Sequence, residues 1–446
     1  MQDLIDGLED LSCLTRFGRV ARVEGFLVEV TGASGAIGLG GRLRIAGADN
    51  LETSCEVVGF RDGRALAMPF GQLEGITLGA RATFEERVSA IYPSHAWLGR
   101  VIDAFGTPSD GNGPLVCGMQ PYPLRAAPPP AHARARLGGK LDLGVRALNS
   151  FLTCCKGQRM GIFSGSGVGK SILLAMLARN TAADVAVIAL VGERGREVKE
   201  FIEDDLGAEG LARSVVVAAT SDESPLARRQ AAFVAMATAE YFRDQGLHVL
   251  LLMDSVTRFA MAQREIGLSA GEPPATKGYT PTVFAELPRL LERAGPGRAG
   301  TTGSITGLFT VLVEGDDHNE PISDAVRGIL DGHIVLDRAI AERGRYPAIN
   351  ILRSVSRAMP QCNSEAEQNL ILNARGQLAI YEDMAELIRL GAYRPGSNPE
   401  VDRAIALYPQ FETFLSQRKE ERSSLEVGYV NLSKILDGSA MKGSGR

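Results

Sequence analysis

The stretch "GIFSGSGVGKSILLAMLAR", Gly161 to Arg179, sets small residues, a lysine and a hydroxyl at fixed spacing. That combination suits phosphate. The usual phosphate loop reads G-x-x-x-x-G-K-[ST], with backbone N–H groups and a helix N-terminus turned toward the anion. Here Gly165, Ser166, Gly167, Val168, Gly169, Lys170 and Ser171 supply the loop, and Ser164 stands where the first glycine would be. Lys170 would reach the β- and γ-phosphates of a nucleoside triphosphate, and the Ser171 hydroxyl would face Mg²⁺. Ser164 fits such a loop if its φ is negative. A positive φ would cost a non-glycine residue about 1–2 kcal/mol.

Three further stretches carry chemistry of the same kind. In "HVLLLMDS", Asp254 closes an apolar strand, where a carboxylate can hold Mg²⁺ through its water shell. In "VGERGRE", Glu193 follows the apolar run "VAVIAL" and could polarise a water molecule for attack, with Arg194 and Arg196 alongside. In "RYPAINILRSVSRAMP", Arg357 could neutralise charge on a neighbouring subunit's γ-phosphoryl group, and Tyr346 could stack on adenine. The residues alone leave both of the last two between those roles and an ordinary surface position.

These side chains need a scaffold that brings strand ends together. Between "QRMGIF" and "GHIVLD" continuous apolar runs alternate with helical stretches. That is the pattern of an α/β fold whose mainly parallel sheet is covered on both faces. Upstream, from about 17 to 90, short runs such as "GRVARVEGFLVEVTG" and "ETSCEVVGF" are separated by glycine-rich turns, as in a small β-barrel. Beyond about 360 the β-type runs stop, and apolar residues recur at helical spacing. The expected division is 1–16, a partner-docking segment; 17–90, the barrel; 91–360, the nucleotide domain; and 361–446, a helical domain. The first segment has Leu4, Ile5, Leu8 and Leu11 on one helical face, so it reads equally as a docking helix or a frayed terminus.

Composition narrows the function class. The 446 residues are 45% hydrophobic and 23% charged, with a net charge of −5, an ordinary balance for a soluble globular chain. The acidic balance and a barrel segment without lysine argue against nucleic acid as a constitutive partner. None of the six cysteines forms a C-x-x-C pair, so buried or free thiols are expected rather than a metal site. The acidic N-terminus does not read as a signal peptide, and no apolar run is long enough to be expected to span a membrane.

Taken together, these motifs resemble the hexameric ATPases of the rotary ATP synthases and their type III secretion relatives. "PAINILRSVS" is similar to that family's P-A-[IV]-[DN]-x-x-x-S-x-S signature, with Asn350 where Asp is commoner. "HAWLGRVIDAFGTPSDGNGP", "GEPPATKGYTPTVFAELPRLLERAG" and "EGDDHNEPISDAVRGILDGHIVLDRAIAERGRYPAIN" resemble the type III export branch, and within it the flagellar group. The resemblance implies a RecA-like phosphate-loop ATPase core between an N-terminal β-barrel and a C-terminal helical domain. It implies ATP with Mg²⁺, Glu193 activating water, Arg194 beside the phosphates, Asp254 on the Mg²⁺ side, Tyr346 under adenine and Arg357 supplied in trans. Phe414, in "FLSQ", would close the adenine pocket. A chain carrying all these parts needs only copies of itself, so a homohexamer is expected. The implied partners are a stator-like flagellar assembly regulator, a central stalk-like export protein, membrane proteins of the export gate, and export chaperone–substrate complexes. The implied place is the cytoplasmic side of the inner membrane, at the flagellar export apparatus. An injectisome ATPase and an RNA- or DNA-translocating hexamer are the alternatives.

Overall fold

The computed structural model describes residues 15–47, 52–85, 89–313, 315 and 320–438. The expected docking segment therefore lies almost wholly outside the described residues. The chain first forms β1 (Phe17–Glu24), β2 (Leu27–Thr31), β3 (Arg42–Ala46), β4 (Glu52–Arg61), β5 (Arg64–Pro69) and β6 (Arg81–Phe84). These close into an antiparallel barrel in the order β1–β2–β5–β4–β3–β6. Alternation drives the closure. Val28 and Val30, Leu43 and Ile45, Cys55 and Val57, and Ala65 and Ala67 all turn into one apolar core. The barrel is fixed to the next domain by Arg229, whose buried guanidinium donates at 2.7 Å to both oxygens of the buried Glu56 carboxylate.

The central sheet contains β7 (Arg100–Ile102), β8 (Arg159–Ser164), β9 (Val185–Glu193), β10 (Ser214–Thr220), β11 (His248–Asp254), β12 (Ser304–Leu312), β13 (Gly332–Leu336) and β14 (Ile349–Ser356). Their order across the sheet is β14–β13–β8–β12–β11–β9–β10–β7, with a two-residue strand, Gly295–Pro296, paired to the start of β12. Along this order every pair is parallel except β13 with β14. The strands are apolar on both faces because both are covered. Val185, Val187, Ala189 and Val191 enter one core, while Ala186, Ile188 and Leu190 enter the other.

Three helices bear on the site. They are α1 (Lys170–Asn180), α2 (Pro225–Asp244) and α3 (Val256–Ser269). Beyond the sheet the chain continues as α4 (Glu365–Arg389), α5 (Pro399–Leu415) and α6 (Leu425–Leu436). Each starts on a side-chain cap, and Ser364 with Glu367 forms a complete capping box on α4. Their apolar faces (Ile371, Leu407, Phe411, Leu432 and Ile435 among them) join the core on the α1 side of the sheet. No helix among the described residues is long and apolar enough to cross a membrane.

Candidate active site

Parallel strands deliver their C-terminal ends to one edge, and a ligand site belongs there. β8 ends at Ser164, level with Leu312 of β12 and Leu336 of β13. Next in line are Asp254 on β11 and Glu193 on β9. Residues far apart in the chain thus reach one edge through the sheet's register.

Ser164 does not break the loop. It is the last strand residue, fully buried, and the only described non-glycine residues with positive φ are Asp62 and Lys277. Its Oγ is buried without a partner, whereas Ser166 and Gly167 are exposed at the turn. The left-handed steps fall later, on Gly167 (φ +76°) and on Gly169, the cap of α1 (φ +85°). A Cβ on Gly169 would lie 3.0 Å from Cδ1 and Cε1 of Tyr346. Glycine at 169 therefore serves twice, permitting the turn and letting the Tyr346 ring lie against the loop. Gly169→Ala is expected to weaken nucleotide binding by at least about tenfold, with only a modest fall in unfolding temperature, since forcing alanine to positive φ costs about 1–2 kcal/mol. Nucleotide titration alongside thermal unfolding checks this, and unchanged affinity would contradict it.

Lys170 is the electrostatic centre. Its Nζ donates to Asp254 Oδ1 at 2.5 Å and to Glu193 Oε1 at 3.2 Å. Thr310 Oγ1 donates to the same Asp254 oxygen at 2.7 Å. Burial works against the ammonium, but Asp254 and Glu193 outweigh it and hold Lys170 above its ordinary pKa. The cluster is one fixed cation between two carboxylates, beside a helix N-terminus. Glu193 reaches it past a register shift at Gly192, which has φ +71°.

The same close approach at Gly192 exposes a residue that sequence reasoning missed. A Cβ on Gly192 would lie 3.0 Å from Cβ of Arg258. Arg258 sits in the first turn of α3, three residues past Ser255, whose hydroxyl accepts from the Arg258 N–H. Its Nε is buried with no hydrogen-bond partner. The Arg258 side-chain stem therefore packs against Gly192, the residue before Glu193. The available signal was an arginine in the first turn of the helix that follows a strand-ending aspartate.

Other sequence-predicted residues are placed differently. Arg194 is 81% exposed and pairs with Glu197 at 3.4 Å rather than with the cluster. Phe414, which the resemblance sets at the adenine pocket, is buried in this structure. It is 2% exposed and packs edge-on against Phe151 in the core, because the apolar face of α5 turns inward there. Tyr346 is 38% exposed at the loop edge. Arg357 is at the other edge. Since β14 runs antiparallel to β13, Ile349 pairs with Leu336 at the loop end and Ser356 pairs with Gly332 at the far end. A bulge in β14 shortens its path, and Arg357, whose N–H donates to the Asp331 carbonyl, lies about 17 Å along the sheet from the loop end. Its side chain is exposed and makes no hydrogen bond or ion pair among the described residues. Asn350, the departure from the signature, donates from Nδ2 to Asp337 at 3.0 Å. An aspartate there would set two carboxylates against each other.

Comparison with known proteins gives three family matches along the chain. The beta-barrel domain of the ATP synthase alpha/beta family matches residues 20–85, and the nucleotide-binding domain of that family matches 144–356. The C-terminal domain of the type III secretion ATPase EscN matches 363–434. A "Flagellum-specific ATP synthase" of Caulobacter vibrioides is 59% identical over 440 residues, covering 98% of this chain and 99% of that protein. A "Type 3 secretion system ATPase" of Xanthomonas euvesicatoria is 47% identical, covering 96% of each. The structure of the assembled ATPase EscN from the type III secretion system of enteropathogenic E. coli matches with a TM-score of 0.86 and 39% identity, over 94% of this chain and 100% of that one. EscN in complex with its central stalk EscO matches with a TM-score of 0.85 at 39% identity, over the same shares of the two chains.

Proposed function

Because the chain belongs to the ATP synthase alpha/beta family, in its type III secretion branch, we propose that it is the ATP-hydrolysing motor of flagellar protein export. The observation that carries the reading is the meeting of Lys170, Glu193 and Asp254 at the sheet edge beside a glycine-rich helix N-terminus. A triphosphate takes up the loop's backbone donors and the Lys170 ammonium. Two carboxylates against one ammonium leave the cluster acidic, so the polyphosphate needs further positive charge. Ser171 and Asp254 offer the hard oxygen donors that suit Mg²⁺. Bound there, Mg²⁺ would offset phosphate charge. Glu193 orients and polarises the attacking water. Arg258, whose stem packs on Gly192 next to Glu193 in the chain, would add a cation near the terminal phosphate.

Arg357 lies too far from its own loop to act there, which supports a ring in which each subunit completes its neighbour's site. A homohexamer is the arrangement this reading adopts. Tyr346 forms the adenine platform, with its ring already against Gly169. The identity to the flagellum-specific relative, 59% against 47% for the secretion-system one, favours the flagellum over an injectisome. The complex of EscN with its stalk supports a stalk-like partner for this chain as well. In this reading the motor works at the cytoplasmic face of the inner membrane, unloads chaperones and feeds substrates to the export gate.

The test has an enzymatic and a cellular arm. ATP turnover by the purified chain is expected to rise with protein concentration as rings form. Deleting its gene is expected to abolish export of flagellar filament protein, with rescue by the parent gene only and not by Lys170→Ala. Normal filaments in the deletion strain would reject the flagellar assignment. RNA-stimulated turnover with a steep salt dependence would favour a translocase instead.

A further inference from the structure

The adenine end of the site is tied to the C-terminal helices by two contacts that no catalytic role explains. The first is Gln417, just past the end of α5. Its backbone N–H donates to the Tyr346 carbonyl at 2.9 Å. Its side chain is buried and fully used. Oε1 accepts from the Arg146 N–H at 2.8 Å, and Nε2 donates to the carbonyls of Gly144 and Glu421, each at 2.8 Å. The side chain thus clamps the segment whose backbone holds Tyr346. Gly144, in turn, stands just before Val145, the N-cap of the short helix Arg146–Phe151.

The second contact is Arg345, the residue before Tyr346. It is 7% exposed, with Nη2 donating to the Ile349 carbonyl at 3.2 Å and Nε 3.3 Å from Glu412 Oε2 on α5. Burial works against its charge, and Glu412 is the main group opposing that. Beside the pair is a cavity of about 350 Å³, lined by Asp337, Arg343, Arg345, Arg353, Tyr408 and Glu412 among others. The pair is therefore not locked on every side. It has room to shift when α5 moves.

We infer that Gln417 and the Arg345–Glu412 pair are positioning residues, which set the Tyr346 ring against the phosphate loop and link adenine binding to the C-terminal helices. This rests on Tyr346 being the adenine platform. Neither contact touches the reacting phosphates, so their loss acts on nucleotide binding rather than on the chemical step. The carbonyl of Tyr346 and the guanidinium of Arg345 are held by neighbouring parts of one element. A displacement of α5 would therefore move both sides of the Tyr346 backbone together.

Steady-state kinetics on assembled rings test this. Glu412→Gln and Gln417→Ala are each expected to raise KM for ATP about five- to tenfold while kcat changes less than about twofold. Added to Tyr346→Ala, either change is expected to raise KM no further, since all act through one ring. If Tyr346→Ala leaves KM unchanged, the platform reading fails and this inference with it. If Tyr346→Ala raises KM but Glu412→Gln and Gln417→Ala do not, the platform stands and the inference is wrong. Full additivity with Tyr346→Ala would also overturn it. Glu412→Gln keeps the shape of its side chain, so it decides the matter if Gln417→Ala fails to fold.

Discussion

Rings co-assembled from Arg357→Ala and Glu193→Gln subunits, each nearly inactive alone, are expected to regain turnover. The strand that carries Arg357 explains why. β14 enters at the phosphate-loop edge with Tyr346 behind it and leaves at the opposite edge, so Arg357 and the loop of the same chain face different ways. An active interface needs Glu193 from one subunit and Arg357 from the next. In a random mixture of equal parts, about a quarter of interfaces pair an intact Glu193 with an intact Arg357, since closed rings use one repeating contact. Arg357→Ala by itself is expected to lower kcat by about 10³-fold or more, the scale of an arginine acting on a transferring phosphoryl group. The two subunits, distinctly tagged and co-purified, would be assayed against each parent ring. Mixed rings no faster than the parents would place the arginine in cis or outside catalysis. Parental turnover in Arg357→Ala rings would remove it from the mechanism altogether.

The same geometry shows what was legible in the sequence. A phosphate loop is local. Strand, turn and helix follow one another from Arg159 to Asn180, and each declares itself in residue types. Strand-ending carboxylates are nearly as legible, because a parallel sheet sends every strand end to one edge. The doubly apolar strands announced covering on both faces, and the alternation in 17–84 announced a barrel. What the sequence hid depends on direction and depth. That β14 reverses, and so separates Tyr346 from Arg357, is a fact of sheet order. Phe414 was set at the adenine pocket only by the resemblance of "FLSQ" to the family. Its place on α5 turns it into the core, packed against Phe151. Arg258 went unread because its partner in space is Gly192, a residue without a side chain to advertise the contact. Arg194, set beside the phosphates by the family resemblance, pairs instead with Glu197, as the helix that starts at Gly195 turns it away.

Glu193→Gln is expected to separate binding from chemistry. The Lys170 ammonium is shared between Glu193 and Asp254. Removing the Glu193 charge leaves that ammonium with one carboxylate, so more of its field is free for an anion. Mg-ATP affinity is therefore expected to hold or increase, while kcat falls by about 10²–10⁴-fold with the loss of the group that polarises water. Lys170→Ala gives the opposite pattern. It removes the cation that phosphate needs and leaves Asp254, buried beneath Thr310, without its counter-charge. Nucleotide affinity is then expected to collapse. The fold is expected to lose on the order of 3 kcal/mol, the scale for stripping a buried ion pair of one partner. Nucleotide titration, single-turnover hydrolysis and denaturant unfolding on the two variants read these effects separately. A Glu193→Gln protein that hydrolyses at the parental rate would deny Glu193 its role. A Lys170→Ala protein that still binds Mg-ATP normally would mean that the loop's backbone donors and the metal suffice. The ammonium would then be there to neutralise the two carboxylates rather than to hold phosphate.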